Sequence, residues 1–184
     1  MKNTKELVPY EYPDKWEKNI KLRDGTKLFL RPIKPSDADM WVELYNSLSS
    51  NTKYLRFFTN MPKPNQKMID KYTKIDYINN FAIVAIYTDP ETGKEKMIGV
   101  VRYGLDPPPD SAELAVVVAD KWQGKGLGTQ MLLYMLRIMQ KRKIKKIKGD
   151  VFLRNDSMMQ LMGESGFNFL KEDSYGIRHF EFNL

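Results

Sequence analysis

At 184 residues the chain suits one domain that buries most of its apolar surface, and 42% apolar with 29% charged residues is a globular rather than a disordered composition. Cysteine is absent and His179 is the only histidine, which excludes disulfides, thiolate or histidine-cluster metal sites and Ser/His or Cys/His catalysis. A net charge of +7 points to anionic partners: phosphate-bearing cofactors first, then acidic proteins or nucleic acid. No apolar run approaches the roughly 20 residues of a membrane span, no signal-peptide core opens the chain, and the lack of cysteine fits a reducing compartment. A cytoplasmic protein with no membrane partner is expected.

Residues 1–20 are polar and broken by Pro9 and Pro13, and read as an arm lying on the domain through Tyr10, Tyr12 and Trp16. Asp24-Gly25 suggests a hairpin turn, followed by a strand from Lys27 to Ile33. Ser36, Asp37 and the apolar spacing of Met40, Trp41, Leu44, Tyr45 and Leu48 predict a helix capped near Ser36. Tyr54–Phe58 leads into a proline-bearing loop at Met61–Pro64, and a short helix is expected over Gln66–Thr73. Strands are expected over Phe81–Thr88 and Met97–Leu105, joined by a turn at Asp89–Gly93, and Asp106–Asp110 carries three prolines that cannot pair in a sheet.

Ala112–Ala119 is apolar nearly throughout, as in a strand covered on both faces. A helix over Leu127–Arg142 sets Leu132, Leu133, Leu136 and Met139 on its inner face. A strand over Lys145–Leu153, a helix capped by Asn155, a turn at Gly166 and two strands over Phe167–Ser174 and Ile177–Leu184 complete a mixed α/β domain. There is no internal repeat and no linker.

Between the valine strand and the helix at Leu127 lies Gln123-Gly124-Lys125-Gly126-Leu127-Gly128-Thr129. Its glycines allow close backbone approach, and the helix start offers unpaired N–H groups, so the turn suits a diphosphate. Lys125 stands between glycines rather than after the last one, unlike a Walker turn, and GxGxG is not the dinucleotide spacing GxGxxG. The alternative reading is a strand–helix turn whose glycines serve packing alone.

Gln123 to Gly128 matches the (Q/R)xxGx(G/A) motif of the GCN5-related N-acetyltransferases, and Asn155 and Gly166-Phe167 extend the resemblance. Leu30-Arg31-Pro32-Ile33, Ser36-Asp37, Leu48-Ser49-Ser50 and Tyr54–Phe58 resemble the protein lysine acetyltransferases of that family, whose domain often sits beside an acyl-CoA-synthetase-like module not seen in this sequence. The resemblance implies one N-acetyltransferase domain over residues 21–184, a mainly antiparallel sheet flanked by helices, and a V-shaped strand splay, opened by a bulge, at the acetyl-CoA site.

It also implies roles. Val116, Val117 and Val118 would pair with the pantetheine arm. Gln123, Gly124, Lys125, Gly126, Leu127, Gly128 and Thr129 would hold the diphosphate. Asn155 would lie near the pantetheine, and the amide of Val117 or Val118 would polarise the thioester. The methionines read first as core or pocket lining, with Met158 and Met162, at i+3 and i+7 from Asn155, as the two placed to touch the cofactor. A lysine amine with pKa about 10.4 is neutral in about one molecule per few thousand at pH 7, which costs about 4–5 kcal/mol in nucleophile. A carboxylate must therefore take the proton, and Glu113 stands where such relatives carry their proposed base. Many relatives place a tyrosine acid seven residues after the asparagine, where this chain has Met162.

The expected activity is acetyl transfer to a protein lysine without a covalent acyl-enzyme and without a metal. The alternatives are a small-amine acetyltransferase, a non-catalytic acyl-CoA-binding regulatory domain, and, with least support, a nucleic-acid binder using the basic run from Lys141 to Lys148. That run reads as a solvated helix end. Arg56, Phe57 and Phe58 belong to the acceptor side or the core, and His179 is structural. The acceptor, the acyl-chain preference and the oligomeric state are not encoded in any motif.

Overall fold

The computed structural model describes residues 11–58, 63–106, 111–172 and 175–184. In chain order these form β1 (Lys18–Lys21), β2 (Lys27–Pro32), α1 (Ala38–Ser47), α2 (Ser50–Phe57), α3 (Gln66–Thr73), β3 (Asn80–Thr88), β4 (Glu95–Asp106), β5 (Ser111–Val118), α4 (Leu127–Lys141), β6 (Lys146–Phe152), α5 (Asp156–Glu164), β7 (Asn168–Glu172) and β8 (Ile177–Asn183). The strands make one sheet in the order β1-β2-β3-β4-β5-β6-β8-β7. Every neighbouring pair is antiparallel except β5–β6.

The central strands are apolar on both faces because both faces are covered. One face carries Leu30, Phe81, Ile83 and Val101 against Leu127, Met131, Leu132, Met135 and Met139 of α4. The other carries Ala82, Val84, Ile86 and Val100 against Trp41, Leu44 and Tyr45 of α1. Leu133, expected on the inner face of α4, is 43% exposed, and Met135 fills the buried stripe instead.

Several expectations change. Lys18, Asn19 and Ile20, read as part of the arm, belong to β1, which pairs with β2 across the Leu22–Thr26 turn. Gly25 at φ +89° makes that turn possible. Tyr12, Trp16 and Ile20 pack against the main core, while residues 1–10 lie outside the described residues. So do parts of the two proline loops, at 59–62 and 107–110.

Tyr54–Phe58 does not run straight into a loop, because Ser50–Phe57 is helix α2. Ser49 caps it by accepting from the Thr52 amide at 3.1 Å. Asp120, just past β5, accepts from the Ser49 amide at 3.0 Å, the Ser49 hydroxyl at 2.8 Å and the Thr52 hydroxyl at 2.7 Å. Burial works against ionisation of Asp120, but these hydrogen bonds outweigh it and hold the carboxyl below its usual range.

Ser36 does not cap α1. Pro35–Asp37 form a 3₁₀ turn, and Asp37 makes the binding contacts. Its carboxylate takes both terminal nitrogens of Arg31 at 2.7 Å each and the Lys34 amide at 2.7 Å. Both side chains are buried, so the bidentate geometry offsets the desolvation of two charges. The pair pins the end of β2 to the start of α1. Replacing Asp37 by Asn leaves the Arg31 charge buried without its counter-ion. We expect a loss of about 3 kcal/mol of stability, read as a lower urea midpoint with an unchanged m-value.

Candidate active site

The sheet opens where β5 and β6 stop pairing. Their parallel ladder consists of Ser111–Lys146, Ala112–Ile147 and Glu113–Lys148, after which β5 continues to Val118 and β6 to Phe152 without further pairs. The bulge expected on β5 is absent: β5 follows β4 without a register shift from Ser111 to Val118. The irregularity lies one strand pair away, between Ala85 and Ile86 on β3. The V therefore comes from β6 leaving, not from β5 bending.

Alternation along β5 decides which amides face the opening. The Ala119 amide donates to Ile98 of β4 at 2.9 Å, so the amide of Val117 also turns toward β4, and those of Leu114, Val116 and Val118 turn into the V. In agreement, a Cβ on Gly149 of β6 would lie 3.4 Å from the Leu114 carbonyl, and the Val118 carbonyl accepts from Gln123 Nε2 at 3.0 Å. Of the two amides expected to polarise a carbonyl, only that of Val118 faces the opening, and Val116 joins it. Val117 offers its side chain to the opposite face of the sheet.

The turn that follows has the form of an anion cradle. Gly124 and Gly126 lie at φ +73° and +82°, a region that residues with a Cβ occupy at a cost. Gly126 is the N-cap of α4, no side chain caps the helix, and the first helical bond closes from Gln130 to Gly126. The amides of Leu127, Gly128 and Thr129 are thus left for a ligand, at the positive end of a helix of 15 residues. Leu127 gives only its amide, since its side chain is 1% exposed in the core.

Lys125 is tied by a 3.0 Å ion pair to Asp24 of the β1–β2 turn. The amide and hydroxyl of Thr26, with Lys125, hold the Asp24 carboxyl well below its usual range. The same turn brings Arg23 to the cradle, its Nε 4.0 Å from where a Cβ on Gly126 would lie. Sequence reasoning missed Arg23, because nothing local links a hairpin tip to a turn a hundred residues later.

Across the V, Asn155 caps α5, its Oδ1 accepting from the Met158 amide at 3.3 Å. Its Nδ2 group donates to no partner among the described residues. Met158 is partly buried against the core. Met162 is 1% exposed, so its side chain is a core residue and not a wall of the cleft.

On the face of the sheet covered by α1, α2 and α3, Glu113 is exposed at the last β5–β6 pair. Its register partner Lys148 turns away to Asp106 at 3.1 Å, and Glu113 makes no hydrogen bond or ion pair among the described residues. Helix α2 spans the opening on this side, since Tyr54 and Phe58 stack on Phe152 of β6 with centroids 5.3 and 4.5 Å apart. Tyr54, Phe152, Arg154 and Tyr175 line a pocket of about 340 Å³ there.

His179 bonds Asp150 through Nδ1, one strand further out. The basic run is not one surface. Arg142 donates to the Tyr77 carbonyl at 2.6 Å and the Tyr103 hydroxyl at 2.7 Å, while Lys146 pairs with Glu181 at 3.3 Å. Among the described residues no helix is long and apolar enough to cross a membrane, and no group of three or more acidic or histidine side chains is placed to hold a metal.

The family model of the acetyltransferase (GNAT) domain matches residues 27–168. An acetyltransferase of Pseudomonas aeruginosa is 26% identical over 154 residues, which cover 84% of this chain and 81% of the relative. Acetyltransferase Pat of Mycolicibacterium smegmatis is 25% identical over 155 residues, 84% of this chain but 45% of Pat, so the chain spans under half of that relative. Among solved structures, the GNAT domain of S. lividans PAT superposes with a TM-score of 0.84 at 29% identity, covering 95% of this chain and all of that one. An uncapped glycine turn, a one-sided strand splay and a match over most of the chain agree: the protein is an N-acetyltransferase of the GNAT family, whose domains use acetyl-CoA.

Proposed function

We propose that the protein transfers acetyl from acetyl-CoA to the amine of a protein lysine, by direct attack within a ternary complex. The observation that carries this reading is the position of Glu113. It is an unpaired carboxylate at the apex of the V, on the strand whose free amides lead to the anion cradle. Five residues separate it from Val118, about 17 Å of extended strand, which suits a pantetheine arm running from cradle to apex. The likeness to Pat and to the PAT GNAT domain supports a protein as the acceptor.

The geometry supports the following division of labour. The amides of Leu127, Gly128 and Thr129, with Arg23 and Lys125, hold the diphosphate. The amides of Val116 and Val118 and the Nδ2 group of Asn155 bind the pantetheine, and the innermost free amide of β5 donates to the thioester carbonyl. Glu113 takes the amine proton, directly or through water, as the new C–N bond forms and the C–S bond breaks. With Met162 in the core, no side chain at that position protonates the departing thiolate, whose pKa near 8.5 lets it leave without an acid. The chain holds no cysteine, so no thiol of its own carries the acetyl group between substrates.

Two measurements follow. Glu113→Gln should lower kcat by about a hundredfold or more at neutral pH while acetyl-CoA affinity by calorimetry stays near that of the parent. Full turnover in that variant across pH 6–9 would remove Glu113 as the base. Gly126→Ala forces a Cβ into a left-handed conformation, and we expect acetyl-CoA affinity to fall about tenfold with the fold retained by circular dichroism.

A further inference from the structure

We propose that Arg56 and Arg102 form a subsite for a carboxylate carried by the acceptor close to its reactive amine. This rests on the acetyl-transfer reading above and adds the chemical class of acceptor. Arg102 of β4 pairs in register with Ala115, two residues along β5 from Glu113 and on the same face of the sheet. Arg56 reaches that face from α2, the helix that spans the opening. The Arg102 guanidinium lies 4.6 Å from the ring of Tyr72, and that of Arg56 lies 5.0 Å from the ring of Phe57. Neither makes a hydrogen bond or ion pair among the described residues.

Two partly buried guanidinium groups near each other, with Glu113 acting on Arg56 from beyond ion-pair distance and no ion pair among the described residues, are unfavourable for the free protein. Burial, with repulsion from Arg56, pushes Arg102 down to about 10. Burial also lowers Arg56, against the opposing pull of Tyr72 and Glu113. Ring stacking orients each group but supplies no negative charge. Arg31 and Arg142 show the contrast. Arg31 has Asp37, and Arg142 has the Tyr77 carbonyl and the Tyr103 hydroxyl.

Glu113 is a carboxylate that acts on Arg56, and it becomes neutral when it takes the amine proton. The chamber would then hold two positive charges with nothing to balance them. A carboxylate on the acceptor supplies that balance at the moment of transfer, and bidentate guanidinium–carboxylate bonds fix the amine's approach. Before transfer the same cations disfavour a charged ammonium at Glu113, so an acceptor with its own anion enters at lower cost. An acidic residue beside the target lysine is the source that fits a protein acceptor. The α-carboxylate of a free amino acid presents the same chemistry.

Steady-state acetylation of matched lysine peptides that differ only in the flanking residue (Glu, Ala or Lys) tests this with the full chain, alongside free amino acids. The Glu peptide should exceed the Ala peptide by about tenfold or more in kcat/KM, chiefly through KM, with the Lys peptide lowest. In Arg56→Gln and Arg102→Gln the ratio of Glu to Ala peptide should fall toward one, and Arg56→Glu should invert the order of Glu and Lys peptides. If Arg102→Gln does not fold by circular dichroism, the Arg56 variants and the parent peptide series decide the question. Faster acetylation of free amino acids than of any peptide supports the subsite and overturns the protein acceptor. Equal rates on all three peptides, or a preference that survives Arg56→Gln, overturn the subsite and leave the transferase reading standing. Transfer to no amine overturns both.

Discussion

The structure depends on one interruption. Three residue pairs join β5 to β6, and then the ladder ends at Glu113 and Lys148. Up to that point the sheet is continuous and both strands are held. Beyond it β5 keeps its β4 ladder on one side and exposes backbone donors and acceptors on the other. Exposed strand edges are normally blunted or covered. Here the edge faces the gap that β6 leaves. Gly149, directly after the last pair, is where β6 leaves. A side chain there would meet the Phe180 ring at 2.5 Å, so this crowded position is reserved for glycine.

The opening is built by contacts distant in sequence. At the cradle, the β1–β2 turn supplies Asp24 to hold Lys125 and brings Arg23 alongside. Across the V, α2 bridges from the end of β5 to the end of β6, held by Asp120 at its start and by Tyr54 and Phe58 on Phe152. Asp120 follows the strand that carries Glu113, so one strand and its end set Glu113, the free amides and the anchor of the helix above them. The Arg31–Asp37 pair does the equivalent work for α1, fixing the layer against which α3 and its Tyr72 pack.

Much of this was legible in the sequence where one local rule dominates. The α4 stripe, the Asn155 cap and the alternation of β3 and β4 follow from periodicity and capping, and the glycines of the turn from spacing. Helix α2 was not legible, because Ser50–Phe57 has no continuous apolar stripe and is held largely by Asp120, seventy residues away. The β1 strand is short and mostly exposed, so no hydrophobic alternation announces it. Ser36 has the right residue type for a cap, yet Asp37 makes the contacts because Arg31 needs its charge.

The sequence by itself determined the fold class, the family and the glycine spacing of the turn, since these rest on residue types at fixed spacing along one stretch of chain. Only the tertiary structure decided that Val116 and Val118, rather than Val117, present their amides, because that depends on which residue of β5 first pairs with β4. It also decided that Met162 is core, that Lys125 is shared with Asp24, and that Arg102 stands on the face of the sheet that carries Glu113. Each of these is set by cross-strand register and by which face a neighbouring helix covers. Those are properties of packing between segments that the order of residues within either segment does not contain.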